Sequence, residues 1–173
     1  MRNVRIIFEE FDRPLAEMLA RNTKLNCHLI FEVKLSENFR RKVRFVVDGD
    51  RTKVPKSLSY SIVVSRDFVR IAFLLSALNN FHVIFCDIQN AHLAAPCREK
   101  YFYIAGSEFV SDKIKIYIVR RALYGLKTNG ASFRRFLAKS FTDIDFRSCT
   151  KADPDVWMRP QPKPNGFRYY ECF

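Results

Sequence analysis

The segment DIQNAHL, Asp87 to Leu93, follows the apolar run HVIFC of residues 82–86. This run is rich in β-branched and aromatic residues, so we expect a short buried strand that ends at Asp87. A carboxylate at the edge of a buried strand is costly unless it is paired or holds a metal. The alternative is that Asp87 caps the turn near Asn90, and the segment taken alone favours that structural role.

The composition indicates a globular chain with a polyanionic partner. The 173 residues are 48% hydrophobic and carry a net charge of +12, which predicts one packed domain rather than a disordered chain. The charge favours nucleic acid first and a membrane surface second, and the alternative is charge that has drifted without function. No apolar run approaches the roughly 18 residues of a membrane span. Without a signal peptide, the expected location is intracellular, in the cytoplasm or the nucleus.

The cysteines and histidines form no recognisable metal-binding or catalytic motif. Five cysteines are scattered without a CxxC pair, which argues against zinc and favours reduced thiols. The three histidines share no ligand spacing, and no Ser–His–Asp or Cys–His grouping can be argued.

The periodicity of apolar residues predicts an α+β fold, with a mixed, mostly antiparallel sheet and packed helices. A helix over residues 66–80, capped by Ser65, is expected to pack its Phe68, Ile71 and Leu75 face on the sheet that holds Asp87. The other predicted elements are two short helices separated by Pro14 within residues 4–22, a hairpin of His28–Leu35 and Lys42–Val47, strands at 82–87, 101–104, 114–119, 156–158 and 167–173, a helix at 131–144, and a turn at prolines 160–164.

Two stretches carry residue types that suit phosphate. In RRKVR, residues 40–44, Lys42 and Arg44 would project to the same face of a strand and could hold a triphosphate. The alternative is a solvated basic strand edge. In ALYGLKTNGASF, residues 122–133, Gly125 would allow a tight backbone approach and Lys127 would reach a phosphate. An ordinary strand-to-helix turn is an equal alternative.

Further acidic residues lie near the end of the sequence. Asp153-Pro154-Asp155 resembles a carboxylate pair, but the proline favours a structural role in which Asp155 caps a turn or pairs with Arg159. Glu171 is expected to be a poor metal ligand, because it lies in a cut strand without a hairpin partner.

Four segments, in order, resemble the copia-type retrotransposon reverse transcriptase, the RNA-directed DNA polymerase domain of a transposable element's Pol polyprotein. They are HLIFEVKLSENFRRKVRFVVDG, YSIVVSRDFVRIAFLLSALN, CDIQNAHLAAPCREK and VRRALYGLKTNGASFRRFLA, followed by ADPDVWMR. The resemblance covers residues 28–173, which would form a partial polymerase domain. Residues 1–27 look like the lead-in from the preceding part of the polyprotein.

The resemblance implies a right-hand polymerase, with fingers and the first part of a palm, that adds nucleoside triphosphates to a primer on an RNA or DNA template with Mg²⁺. Asp87 would be its first metal-binding aspartate, with the Ile88 carbonyl as a second oxygen ligand. The residues that would contact the nucleotide are Lys42, Arg44, His92, Tyr124 and Gly125. The expected nucleic-acid contacts are Arg40, Arg41, Lys127, Arg134 and Arg135.

The departures from the family decide what activity is expected. His92 replaces the aromatic residue that usually lies against the sugar, and the Asp-Asp pair after a tyrosine does not occur. Two-metal phosphoryl transfer needs convergent carboxylates. We therefore expect a truncated reverse transcriptase that holds Mg²⁺ weakly or not at all and makes no DNA as an isolated chain. The alternatives are a nucleic-acid-binding remnant or host-recruited module without chemistry, and a non-functional relic.

Overall fold

The computed structural model describes residues 7–12, 14–52, 54–55, 61, 63–106, 115–162, 164, 166 and 168–173. The chain divides into two compact units. The first unit contains residues 1–60 and 90–136, and the second contains residues 61–89 and 137–173. Both contain helix and strand, so the predicted α+β class is confirmed. Within the described ranges, no helix is long and apolar enough to cross a membrane.

A four-stranded sheet organises the first unit. Its strands are β1 (Phe8–Glu10), β2 (Thr23–Lys24), β5 (Tyr101–Ala105) and β6 (Lys115–Val119). They follow the order β1-β6-β5-β2, antiparallel except for the β2–β5 pair. The strand β1 lies where a helix was predicted, whereas helix α1 (Leu15–Arg21) begins after Pro14 as predicted. Pairing with β6 decides this difference, because Phe8 to Glu10 lie opposite residues 117–119.

A β-hairpin also belongs to the first unit, and its prediction is confirmed. Strand β3 (Cys27–Lys34) pairs antiparallel with β4 (Arg40–Val47) without a register shift. The turn contains a short 3₁₀ segment, Leu35–Glu37, and two residues with positive φ, Asn38 and Phe39. Asparagine tolerates this left-handed conformation well, so Asn38 suits the turn.

The core of the first unit lies where the sheet, the root of the hairpin and residues 123–126 meet. Phe102 is completely buried, and Met18 on α1 is 1% exposed. A separate cluster of buried side chains links the sheet to the root of the hairpin and consists of Leu25, Val47, Tyr101, Val119, Leu123 and Leu126. Helix α3 (Ala91–Ala94) adds Leu93 to this cluster, and helix α4 (Asn129–Asp143) follows it in the chain.

The second unit holds a three-stranded antiparallel sheet. Its strands are β7 (Arg147–Cys149), β8 (Asp153–Pro162) and β9 (Arg168–Cys172). Strand β8 is longer than predicted and includes Pro160 and Pro162, which were assigned to a turn. Among the described residues, it pairs beyond Met158 with β9 alone, so its other side is an edge where a proline costs no ladder hydrogen bond.

Helix α2 (Arg66–Leu78) forms as predicted, but its predicted packing is wrong. The Phe68 N–H donates to Ser65 Oγ at 3.3 Å, which confirms the cap. However, Ile71 is 46% exposed and Leu75 is 51% exposed. The predicted strand at residues 82–87 is absent, since residues 81–88 have no helix or strand. A β-prone sequence becomes a strand only where another strand pairs with it. None of the described strands pairs with residues 82–87.

Candidate functional site

The hairpin places Lys42 and Arg44 on one face, as their spacing predicts. Opposite residues of an antiparallel pair share a face. Lys42 lies opposite Glu32, and Arg44 lies opposite Ile30. Arg44 Nη2 approaches Glu32 Oε2 at 2.9 Å, so the guanidinium is held in place by a diagonal ion pair. Lys42 is exposed. The two cations therefore differ, because Arg44 is paired with a carboxylate and Lys42 is available to solvent.

Both residues line a small pocket in the first unit. The pocket has a volume of about 150 Å³ and is also lined by Leu93, Leu123 and Tyr124. Small-molecule sites usually enclose about 300–1,000 Å³. The pocket is therefore too small to enclose a whole nucleotide. Its lining is mostly apolar apart from the two cations, and its size suits one ring or one phosphate group, with the rest of a ligand outside.

The turn at Tyr124 and Gly125 was predicted to lie beside a nucleotide, and its close contact is with the hairpin. The Val47 N–H donates to the Tyr124 carbonyl at 2.8 Å. Gly125 has φ +92°, and a Cβ there would lie 2.0 Å from the Val47 carbonyl oxygen. The predicted tight backbone approach exists, but its partner is strand β4. Glycine at this position has a structural reason that is independent of any ligand.

Lys127, predicted to reach a phosphate, is hydrogen-bonded to the chain itself. Its Nζ donates to the Thr52 carbonyl at 2.7 Å, while the side chain remains exposed. An ammonium group has three donor positions, so this bond leaves donors for an anion. The contact also fixes where the charge lies, beside the 3₁₀ turn Gly49–Arg51.

His92 lies on α3 among aromatic rings. Its ring centroid is 5.4 Å from that of Tyr124 and 5.8 Å from that of Phe133, both edge-on. Its buried Nδ1 has no hydrogen-bond partner within the described part of the chain. Burial lowers the pKa of the imidazole, which favours the neutral ring. At neutral pH His92 therefore contributes an aromatic surface rather than a phosphate-binding cation.

Asp87 and Ile88 belong to the second unit and lie in the segment without helix or strand. Asp87 is exposed, and Ile88 is 42% exposed. The predicted cost of a carboxylate at a buried strand end therefore does not apply. Among the residues that the structure describes, no three His, Cys, Asp or Glu side chains are grouped so that they could hold a metal ion.

Asp153 and Glu171, two other acidic residues of the second unit, have structural partners. Asp153 is 6% exposed and accepts hydrogen bonds from the N–H groups of Ser65 and Asp155, both at 2.9 Å. The prediction that Glu171 lacks a hairpin partner is wrong, because it lies opposite Arg159 in the β8–β9 pair. Arg159 donates to Glu171 at 2.8 Å, and this bond lowers the pKa of the carboxyl group. The Arg159–Asp155 pair that was considered is thus replaced by Arg159–Glu171.

The remaining predicted nucleic-acid contacts lie on two elements of the first unit. Arg40 and Arg41 are exposed at the outer end of β4, and Arg134 and Arg135 lie on α4, where Arg134 is half-buried. Glu32, which orients Arg44, was not predicted. Its signal was present in the sequence, because a hairpin of residues 28–35 and 42–47 brings an acidic position of β3 close to the basic positions of β4.

Comparison with protein-family models, with curated proteins and with solved structures finds no match for this chain.

Proposed function

We propose that the chain is the fingers and partial palm of a copia-type retrotransposon reverse transcriptase, and that these 173 residues bind phosphates of nucleic acid and nucleoside triphosphates without making DNA. The single observation that carries the proposal is the paired placement of Lys42 and Arg44 on one hairpin face, where both line a pocket that Tyr124 also lines. The ordered resemblance of four segments supplies the family.

The chemistry of the hairpin supports phosphate binding. Arg44 forms an ion pair with Glu32 and keeps further N–H donors for a phosphate, and the exposed Lys42 adds a point charge. Arg40 and Arg41 extend the cationic strand toward the turn. The net charge of +12 adds a long-range attraction for polyanions that weakens with salt.

The carboxylates support binding without polymerisation. Two-metal phosphoryl transfer requires oxygen ligands that converge on two ions. Asp87 is an exposed carboxylate in a segment without secondary structure, whereas Asp153 and Glu171 are engaged by backbone N–H groups and by Arg159. Mg²⁺ demands octahedral geometry and keeps its waters, so one exposed carboxylate gives low occupancy.

A salt titration tests the binding. Fluorescently labelled single-stranded DNA is titrated with the chain at several salt concentrations, and affinity should fall steeply as salt rises. A variant with Arg40, Arg41, Lys42 and Arg44 changed to alanine should bind more weakly. If all four contact phosphates, its log–log salt slope should flatten by about 3, since each contact on a single strand contributes about 0.7.

The matched control removes the same charge elsewhere in the first unit. The exposed residues Arg21, Lys24, Arg51 and Arg98 are changed to alanine, and the slope should stay close to that of the parent. Equal losses in both variants would mean that net charge, rather than the hairpin, binds the DNA. Absence of any binding at low salt would refute the proposal.

A primer-extension assay on an RNA template distinguishes an active polymerase from a chain that binds nucleic acid without catalysing DNA synthesis. We expect no extension with Mg²⁺ or Mn²⁺, by the parent or by Asp87→Asn. Extension by the parent that disappears in Asp87→Asn would overturn the claim that this chain does not polymerise.

A further inference from the structure

Strand β4 presents main-chain hydrogen-bonding groups on the side that faces away from β3. Residue pairs of an antiparallel hairpin alternate between pairs that exchange main-chain hydrogen bonds and pairs whose N–H and C=O groups point away from the partner strand. The Val47 N–H belongs to the second kind, because it donates to the Tyr124 carbonyl. The pairing has no register shift, so the N–H and C=O groups of Arg41 and Val43 point to the same outer side.

Only the inner end of this outer side is occupied, where an isolated parallel bridge joins Val46 to Tyr124. Among the described strands, none but β3 pairs with β4. Arg41 is exposed, and Val43 is 53% exposed. Their main-chain donors and acceptors form an open strand edge with which another extended chain can pair.

The small pocket of the first unit lies at this open edge. Val43 and Phe45 of β4 line it, together with Ile7, Phe8 and Leu123. These side chains are apolar, and the volume of about 150 Å³ suits one apolar side chain. When a peptide adds to a sheet edge, main-chain hydrogen bonds supply affinity and side-chain pockets supply specificity. The edge of β4 offers both.

Basic side chains determine which peptide would fit. Arg40, Lys42 and Arg44 follow one face of β4. Residues opposite each other in a sheet share a face, so an added strand would place alternate side chains beside these cations, where carboxylates complement them. The first unit has 22 Lys and Arg residues against 11 Asp and Glu residues, so an acidic peptide is also attracted from a distance.

We propose that the outer edge of β4 binds an extended peptide with alternating acidic and apolar residues as a third strand, with one apolar side chain in the pocket. Phosphate groups do not satisfy this edge, because they accept hydrogen bonds from the N–H groups of Arg41 and Val43 but donate none to the C=O groups. A peptide main chain does both. The inference goes beyond the proposed function, since it adds a protein partner.

Methylated peptides test the main-chain pairing on the parent chain. The probe is a short fluorescently labelled peptide of alternating Glu and Val with one Phe, and it should bind more tightly than a scrambled peptide of the same composition. Two further peptides carry N-methyl groups on one alternate set of residues or on the other. The set that faces β4 should weaken binding at least about fivefold, the loss expected for one hydrogen bond, and the other set should have little effect.

A proline substitution tests the same edge from the side of the protein. Val43→Pro removes an outward N–H and leaves the N–H groups that pair with β3 in place. The matched control is Val33→Pro on β3, because Val33 is also 53% exposed and its N–H points away from β4. Peptide affinity should fall at least about fivefold in Val43→Pro and stay at the parent value in Val33→Pro.

Equal binding of the two methylated peptides would overturn the proposed strand addition. Equal affinity for the alternating and scrambled peptides, or an unchanged affinity in a folded Val43→Pro variant, would overturn it as well. Circular dichroism checks the fold of both proline variants, and the methylated peptides decide the question on the parent chain if a variant does not fold. Val43→Pro keeps every charge of the hairpin, so its salt slope for single-stranded DNA should equal that of the parent. The DNA titration therefore tests the proposed function separately.

Discussion

The two units bury their apolar side chains to very different degrees. Of the described residues, twelve of the fourteen buried hydrophobic side chains belong to the first unit, and the second contributes only Phe141 and Phe146. The second unit has the amphipathic helix α2, yet no residue of that helix is buried. Its sequence offers an apolar face, but none of its own described elements covers that face.

An amphipathic pattern therefore indicates that burying one face of a helix would be favourable. It does not show that the chain buries that face. In the first unit Tyr101 and Val119 of the sheet share one buried cluster with Val47 at the root of the hairpin. In the second unit the small cluster is aromatic, with Phe141 packed against Phe173 and Trp157 at centroid distances of 4.4 Å and 5.4 Å. We expect the first unit to unfold at higher denaturant concentration than the second.

The largest expected effect is a cavity in the better-packed unit. Phe102→Ala removes a completely buried ring and should lower the free energy of unfolding of the first unit by about 3–5 kcal/mol. Phe85→Ala, at an 80% exposed ring of the second unit, should change stability by about 0.5 kcal/mol or less. Urea unfolding followed by far-UV circular dichroism measures both. Similar losses in the two variants would show that the contrast in burial does not govern stability.

Two glycine substitutions, one in each unit, test the same difference in packing with smaller expected losses of stability. Gly125→Ala forces a Cβ within 2.0 Å of the Val47 carbonyl oxygen at φ +92°, so strain and clash should together cost about 2–4 kcal/mol. Gly166 in the second unit also has positive φ, +81°, but a Cβ there meets nothing within 4 Å. Gly166→Ala should therefore cost only about 1 kcal/mol. Equal costs would mean that the conformation, rather than the packing against β4, determines the penalty.

The elements that were predictable from the sequence are those decided by local signals. The hairpin follows from alternation, α1 begins after Pro14, and Ser65 caps α2. The missing strand at residues 82–87 and the strand β1 depended on which partner was available. Pairing is a tertiary property, so periodicity alone predicted the first wrongly and missed the second.

The candidate site divides in the same way. The shared face of Lys42 and Arg44 follows from the two-residue period of a strand. The ion pair of Arg44 with Glu32 needed the hairpin register, and the contact of Gly125 with Val47 needed the packing of distant segments. The exposure of Asp87 could not be predicted, because it depends on what covers residues 81–88.

The smallest expected effect is a difference in how the two units respond to acid. Burial lowers the pKa of His92 in the first unit, so the unfolded chain binds the proton more readily. Stability from the neutral ring is present above the ordinary histidine pKa of about 6.5, and it falls as pH drops below that value. His92→Phe keeps the aromatic contacts with Tyr124 and Phe133 and should remove this step. His82→Asn, at an exposed histidine, should keep it.

The second unit should respond in a lower pH range. Arg159 lowers the pKa of Glu171, so the stability from this pair is present above the ordinary glutamate pKa of about 4.3 and is lost as pH falls through the lower folded value. Fluorescence of Trp157, the single tryptophan, reports on the second unit, whereas circular dichroism reports on both. Glu171→Gln should flatten the acid step in fluorescence and leave the step near pH 6.5 in circular dichroism unchanged. A single acid transition, shared by both probes and moved equally by His92→Phe and Glu171→Gln, would show that the two units unfold as one.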